Sequence, residues 1–159
     1  MKRILFLFLL LSCVSCTQDC LAQIFDVRVV KVLDGDTFVG INRDNLQLKF
    51  RISAIDAPEK KQAFGTKSKE CLSALIFGKC VAVDVQKQDN YGRYIAFVYT
   101  PENKDVSLEM ISAGMAWHYS YFDNNQSYAQ AQAQAKQQRV GLWADSAPVA
   151  PWDFRKKSR

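Results

Sequence analysis

Histidine is all but missing from this chain: His118 is the only one in 159 residues. Two-histidine ribonuclease catalysis is therefore excluded, and a histidine-rich zinc centre has no ligands to draw on. No Ser-His-Asp set, phosphate-cradling P-loop or glycine-rich dinucleotide motif stands in the sequence either. Cysteine is scarce where it would matter for a disulfide scaffold, because three of the five fall at Cys13, Cys16 and Cys20. Long apolar runs are lacking too. The most hydrophobic stretch, residues 4–11, is too short to span a bilayer.

That stretch follows Lys2 and Arg3 and suits the apolar centre of a secretory signal, so residues 1–22 are expected to be removed on export, with Cys20 and Ala22 before the cleavage point. Lipidation at Cys13 or Cys16 is the competing expectation. It would place the protein on a membrane, and it needs an upstream pattern that the sequence matches poorly. The rest divides into a domain over residues 23–145 and a basic tail over residues 146–159. Only Cys71 and Cys80 remain in the exported chain. They sit nine positions apart across a predicted helix-to-strand junction, where either a disulfide or two thiols is possible.

The composition suits one globular domain: 48% of residues are hydrophobic, enough to fill a core. A formal charge of +5 favours polyanionic partners, nucleic acid or an anionic surface. Val27, Val29 and Val32 with Leu33 suggest a first strand, and residues 38–41 a second. Leu46, Leu48, Phe50 and Ile52 alternate with polar neighbours, which makes a half-buried strand and turns Arg51 away from the core row. Val81, Val83 and Val85 alternate, as do Ile95, Phe97 and Tyr99. Three helices are expected: one carrying Leu72, Leu75 and Ile76 and stopped by Gly78, one over residues 106–113 closed by Gly114, and a third whose Ala/Gln-rich face includes Tyr128, Ala131 and Ala135. Asp123, Asn124 and Asn125 can cap the third helix and Gly141 can close it. The fold class is α+β, a five-stranded, partly open Greek-key barrel of the OB type with three α-helices. Beyond Trp143 the chain reads as irregular and basic.

Three short stretches supply the parts of a metal-assisted phosphodiester cleavage site: Leu33-Asp34-Gly35-Asp36-Thr37, then Arg51 leading to Asp56-Ala57-Pro58-Glu59, then Asp89-Asn90-Tyr91-Gly92-Arg93. A hard cation needs carboxylate oxygens, a water nucleophile needs a base, and a phosphate gathering charge needs guanidinium groups. Asp34 reads as the first residue of a polar hairpin turn. An EF-hand starting there is rejected, because Phe38 and Asn45 stand where its fifth and twelfth ligands belong.

In this order and at these distances the motifs resemble the staphylococcal nuclease family, and the similarity runs over residues 25–143, through Ala113-Gly114-Met115-Ala116 to Gly141-Leu142-Trp143. The resemblance implies calcium ligation by Asp36, Asp56 and the backbone carbonyl of Ala57. It implies Glu59 as general base or water-orienting group, and Arg51 and Arg93 as a clamp on the scissile phosphate. Tyr91 matches a tyrosine of the family's Tyr-Gly-Arg segment, and Tyr119 or Tyr121 would stack on a base. Ala57 stands where the family commonly has threonine, and Asn90 where the staphylococcal enzyme has lysine. The loop after Glu59 looks shorter.

The expectation is an exported, calcium-dependent monomeric nuclease, periplasmic or secreted. It would hydrolyse DNA and RNA with little sequence preference and leave 3′-phosphate ends, with no obligate protein partner. A non-catalytic OB-fold nucleic-acid-binding module is the alternative, disfavoured because Asp36, Arg51, Asp56, Glu59 and Arg93 are all present. A membrane-anchored adhesin that uses only the basic surface is a third.

Overall fold

The computed structural model describes residues 23–157, so the expected signal segment, with Cys13, Cys16 and Cys20, lies outside the described residues. Five strands close a barrel in the order β1 (Gln23–Val32), β2 (Thr37–Ile41), β3 (Gln47–Ile52), β6 (Tyr94–Tyr99), β5 (Cys80–Gln88). Every neighbouring pair is antiparallel except β3 and β6, whose parallel pairing closes the ring. The barrel is closed rather than partly open.

Period-2 alternation sends Val27, Val29, Phe38, Phe50, Ile52, Val81, Val83, Ala96 and Val98 inward, all buried. In β1 the inward parity changes from Val29 to Val32. A register shift between Val29 and Lys31 inserts the extra residue that permits this. Phe38 and Phe50 stack with centroids 5.1 Å apart at the centre; truncating Phe50 to alanine costs about 3–5 kcal/mol in such a setting. Leu46, by contrast, is exposed and lies outside β3.

Helix α1 (Gly65–Ile76) seals the barrel with Leu72 and Ile76. Helix α2 (Val106–Ser112) is capped by Asp105, whose side chain accepts the N–H groups of Ser107 and Leu108. The Tyr128 hydroxyl also donates to Asp105 and ties α3 (Gln126–Gln137) to that cap. Asn125 caps α3, and its buried residues are Tyr128, Ala131 and Ala135. A two-residue pairing joins β4 (Ile55–Asp56) to β7 (Trp117–His118).

The helix count differs from expectation. A fourth helix, α4 (Pro151–Lys157), follows a short 3-10 turn at Gly141–Ala144; residues 145–150 between them are irregular, as expected, and residues 151–157 are not. Pro151 starts it, where a missing N–H costs nothing. Asp153 lies in its first turn and Arg155, Lys156 and Lys157 in its last, complementing the helix dipole. Cys71 and Cys80 are free thiols.

Candidate active site

The turn between β1 and β2 brings in the first carboxylates. Asp34 Oδ1 accepts the Asp36 N–H at 3.0 Å, and Leu33 N–H reaches Thr37 O at 2.9 Å, so Asp34 shapes the hairpin as expected. Gly35 is required by close approach: a Cβ there would lie 1.9 Å from Ser68 Oγ and 2.7 Å from Ala57 Cβ. Asp36 is thereby pressed toward the segment that follows β3. Its Oδ2 accepts the Ala57 N–H at 3.1 Å and its Oδ1 accepts the Thr37 hydroxyl at 2.8 Å.

Arg51 projects from the outer face of β3, opposite the Phe50 and Ile52 row, and turns back over the end of the strand. Its Nη1 donates to Ile52 O and Ile55 O at 3.2 and 3.0 Å, which fixes the guanidinium on the backbone. Nη2 then lies 2.8 Å from Asp56 Oδ1 and 3.3 Å from Asp36 Oδ2. One guanidinium nitrogen therefore bridges two buried carboxylates that are twenty positions apart in the chain; Asp56 is 0% exposed and Asp36 7%.

Glu59 sits one turn before α1. Its N–H donates to Gln62 Oε1 at 3.1 Å, and its carbonyl accepts the Gln62 N–H at 2.8 Å. Gly65, at the start of α1, packs so tightly here that a Cβ would fall 2.0 Å from the Glu59 carbonyl oxygen. The Glu59 carboxylate reaches Arg155 of α4, Oε1 to Nη1 at 2.8 Å. The same arginine places Nη2 2.8 Å from Asp56 Oδ2 and Nη1 3.2 Å from Asp56 Oδ1.

Arg93 is placed differently. Its Nε donates to Asp89 Oδ2 at 2.8 Å and its backbone N–H to Asp89 Oδ1 at 3.0 Å. Burial pushes the Asp89 carboxyl up, but hydrogen bonds from Arg93 and from the Tyr91 N–H outweigh it and hold the group below its ordinary value. Arg51 pairs with Ile95 across the parallel β3–β6 ladder, and Arg93 lies two positions before Ile95. Arg93 thus stands just before the end of β6 that lies beside β3, without contact to the carboxylates of Asp36, Asp56 or Glu59.

Tyr91 and Tyr121 are 83% and 82% exposed. The Arg93 guanidinium lies 5.6 Å from the Tyr91 ring centroid, and Tyr121 meets Phe122 edge-on. Tyr119 is covered: Trp152 lies flat on it, centroids 5.2 Å and planes 6° apart. Its N–H donates to Ala54 O at 2.8 Å, which holds this aromatic segment beside Asp56.

The carboxylates crowd one another. Burial, then the charge on Asp36, pushes Asp34 up to about 6. Burial pushes Asp56 up as well; the Arg155 hydrogen bond opposes this, Asp36 adds to the rise, and Arg51 opposes it. Among the described residues no group of three or more His, Cys, Asp or Glu side chains is arranged around an ion. The hard-oxygen pair Asp36 and Asp56, buried and drawn together by the one Arg51 nitrogen, nevertheless fits a hard cation of the calcium kind in a weak, two-carboxylate site.

Sequence reasoning did not find Arg155 or Trp152. The one available signal was an aromatic and proline pattern, Pro151-Trp152-Asp153-Phe154, inside a stretch otherwise read as a basic tail.

Residues 49–145 match the sequence model of a family described as "Staphylococcal nuclease homologue". The chain is 42% identical over 132 residues to an "Uncharacterized endonuclease" of Haemophilus influenzae, covering 83% of this chain and 74% of that one. It is 41% identical over 128 residues to an "Uncharacterized endonuclease" of Escherichia coli, with 80% and 83% covered. To the "Micrococcal nuclease" of Shigella flexneri it is 36% identical over 147 residues, with 85% and 83% covered.

Proposed function

Because this chain belongs to the staphylococcal nuclease homologue family and is a nuclease on that membership, we propose that it is an exported, calcium-dependent enzyme. We assign it the hydrolysis of DNA and RNA with little sequence preference, leaving 3′-phosphate ends. The observation that carries this reading is the bridge from Arg51 to both Asp36 and Asp56. It gathers onto one spot the anionic and cationic groups that a phosphodiester needs.

Calcium bound by Asp36, Asp56 and the Ala57 carbonyl would supply positive charge against the phosphate oxygens. Glu59 takes the proton of the attacking water as its oxygen bonds to phosphorus. The bond from phosphorus to the 5′ oxygen breaks, so the phosphate stays on the 3′ side and the leaving oxygen takes up a proton. Arg51, already fixed on backbone carbonyls, needs little reordering to bond the phosphate, which is the preorganisation that makes such donors effective. Arg93 grips the phosphate from the turn that leads into β6. Tyr91 and Tyr121 offer exposed rings for bases, a contact worth about 1–3 kcal/mol each and indifferent to sequence.

Export is supported by Lys2 and Arg3 before the apolar residues 4–11. The decisive experiment incubates the exported form with single- and double-stranded DNA and RNA, in calcium or in chelator, and identifies the product ends. Products bearing 5′-phosphates would overturn the assignment of the broken bond. Undiminished cleavage in excess chelator would overturn the role of calcium.

A further inference from the structure

Helix α4 reaches groups that the proposed reaction needs. Arg155 occupies both oxygens of Asp56 and one of Glu59. Trp152 occupies one face of Tyr119 and also meets Trp117 edge-on, centroids 5.5 Å apart. The arrangement imitates a loaded site. A guanidinium takes carboxylate oxygens as a cation would, and an indole lies on tyrosine as a base would. Asp56 cannot give the same lone pairs to Arg155 and to a cation, and one face of Tyr119 cannot hold two rings.

We propose that α4 is a latch that closes the site in the absence of cation and nucleic acid, and that a divalent cation at Asp56 suffices to release it, a nucleotide base on Tyr119 favouring the same open state. The inference rests on the reading of Asp36 and Asp56 as cation ligands, and it takes Tyr119, one of the two tyrosines the resemblance offers for stacking, as a ring that receives a base once Trp152 has left it. Two further features fit a part that moves. The Arg155–Glu59 pair is 41% exposed on both sides, the setting in which ion pairs hold weakly. A helix of seven residues does not persist by itself once its contacts are gone. The hinge end is better anchored: Gln62 Nε2 donates to Val149 O at 2.6 Å, and Ala150 and Pro151 are buried. Releasing Arg155 and Trp152 thus opens the site while the segment before α4 stays attached.

The test uses the full exported chain and calcium chloride as probe. Amide hydrogen exchange over residues 151–157 should quicken when calcium saturates the wild type, and should already be quick in Arg155→Met without calcium. Calorimetric titration should show calcium bound about tenfold more tightly by Arg155→Met, Arg155→Lys and Trp152→Ala. Tenfold is the factor by which a site open in about one molecule in ten loses apparent affinity. Lysine keeps the charge and Trp152→Ala never touches it, so gains in these two cannot come from removing a positive charge near the cation. Calcium binding with unchanged exchange, or a gain confined to Arg155→Met, overturns the latch and leaves the cation site standing. Weaker binding in all three makes Arg155 a supporting member of the site and also overturns it. No calcium binding in any variant overturns the latch and the cation site together.

Discussion

Arg51 and Asp56 are five residues apart, and their side chains close on each other, Nη2 to Oδ1 at 2.8 Å, around a turn in which Ala54 takes φ 63°. A left-handed alanine is strained. The turn accepts it because β3 must reverse sharply to bring the carboxylate back over the arginine that precedes it. The local sequence therefore makes half of the site by itself, and only Asp36 has to arrive from another hairpin.

Removing that arginine should expose the cost of the buried carboxylates. Arg51→Met is expected to lower stability by up to about 3 kcal/mol, because it leaves Asp36 and Asp56 short of countercharge. Cleavage should become undetectable. Thermal melts with and without calcium check the cause: calcium should recover more stability in the variant than in the wild type, and equal shifts would point to lost packing.

At Glu59 the expected split is between rate and binding. Glu59→Gln should lower single-turnover cleavage by about 10²–10⁴, the range for loss of a general base. Affinity for an oligonucleotide should stay near normal or rise, since a negative charge has gone from a polyanion site. A joint fall of cleavage and binding would make Glu59 structural.

Arg93→Ala should lower kcat by about 10³ or more, by analogy with other arginine clamps on phosphoryl groups. Arg93→Lys should recover little of it, since a point charge lacks the planar fork. A folded variant within a few-fold of wild type would leave Arg93 as the partner of Asp89 and nothing more.

The Asp89 turn should show its contribution on the acid side. Its carboxyl lies below the ordinary 3.8 in the folded protein. The stabilisation is therefore fully present above that value and is lost as pH falls through the depressed one. The melting temperature of wild type should exceed that of Asp89→Asn at neutral pH, and the two should converge in strong acid. A gap that persists below pH 2 or so would reject the charge as its source.

Asp105→Ala removes the α2 cap and the acceptor for the Tyr128 hydroxyl in one step. A loss of about 2–3 kcal/mol is expected from the cap and the stranded hydroxyl combined. Denaturant melts read it, and kcat below the new melting temperature should be unaffected.

The parts of the site legible in the sequence are those whose geometry is local. Alternation through Leu48, Phe50 and Ile52 gives the outward direction of Arg51, and the Asp-x-Pro-Glu spacing keeps Asp56 and Glu59 on one short segment. The third helix is legible because alanine and glutamine favour it and Asn125 caps it. β4 and β7 are two residues each, too short for any periodicity. Arg155 meets Glu59 and Asp56 from 96 and 99 positions away. Nothing near it in the chain announces these two carboxylates, so a run of Arg and Lys there reads as a solvated surface. Tyr119, Tyr121 and Phe122 share one aromatic composition, and only tertiary packing separates the ring that Trp152 covers from the rings at the surface.

The fit of Gly65 beneath the Glu59 carbonyl has a thermal consequence. Asp36 sits in the turn that leads into β2 and Arg51 on β3, whereas the carbonyl of Glu59, the proposed base, rests on the first residue of a helix whose start has no side-chain cap. Helix ends fray before barrels open. On warming, the Glu59 carboxylate should drift from Asp56 and Arg51 while the strands are still paired, and turnover should decline some degrees below the collapse of the fold. Cooling should then restore activity at once, because the strands have kept their register throughout.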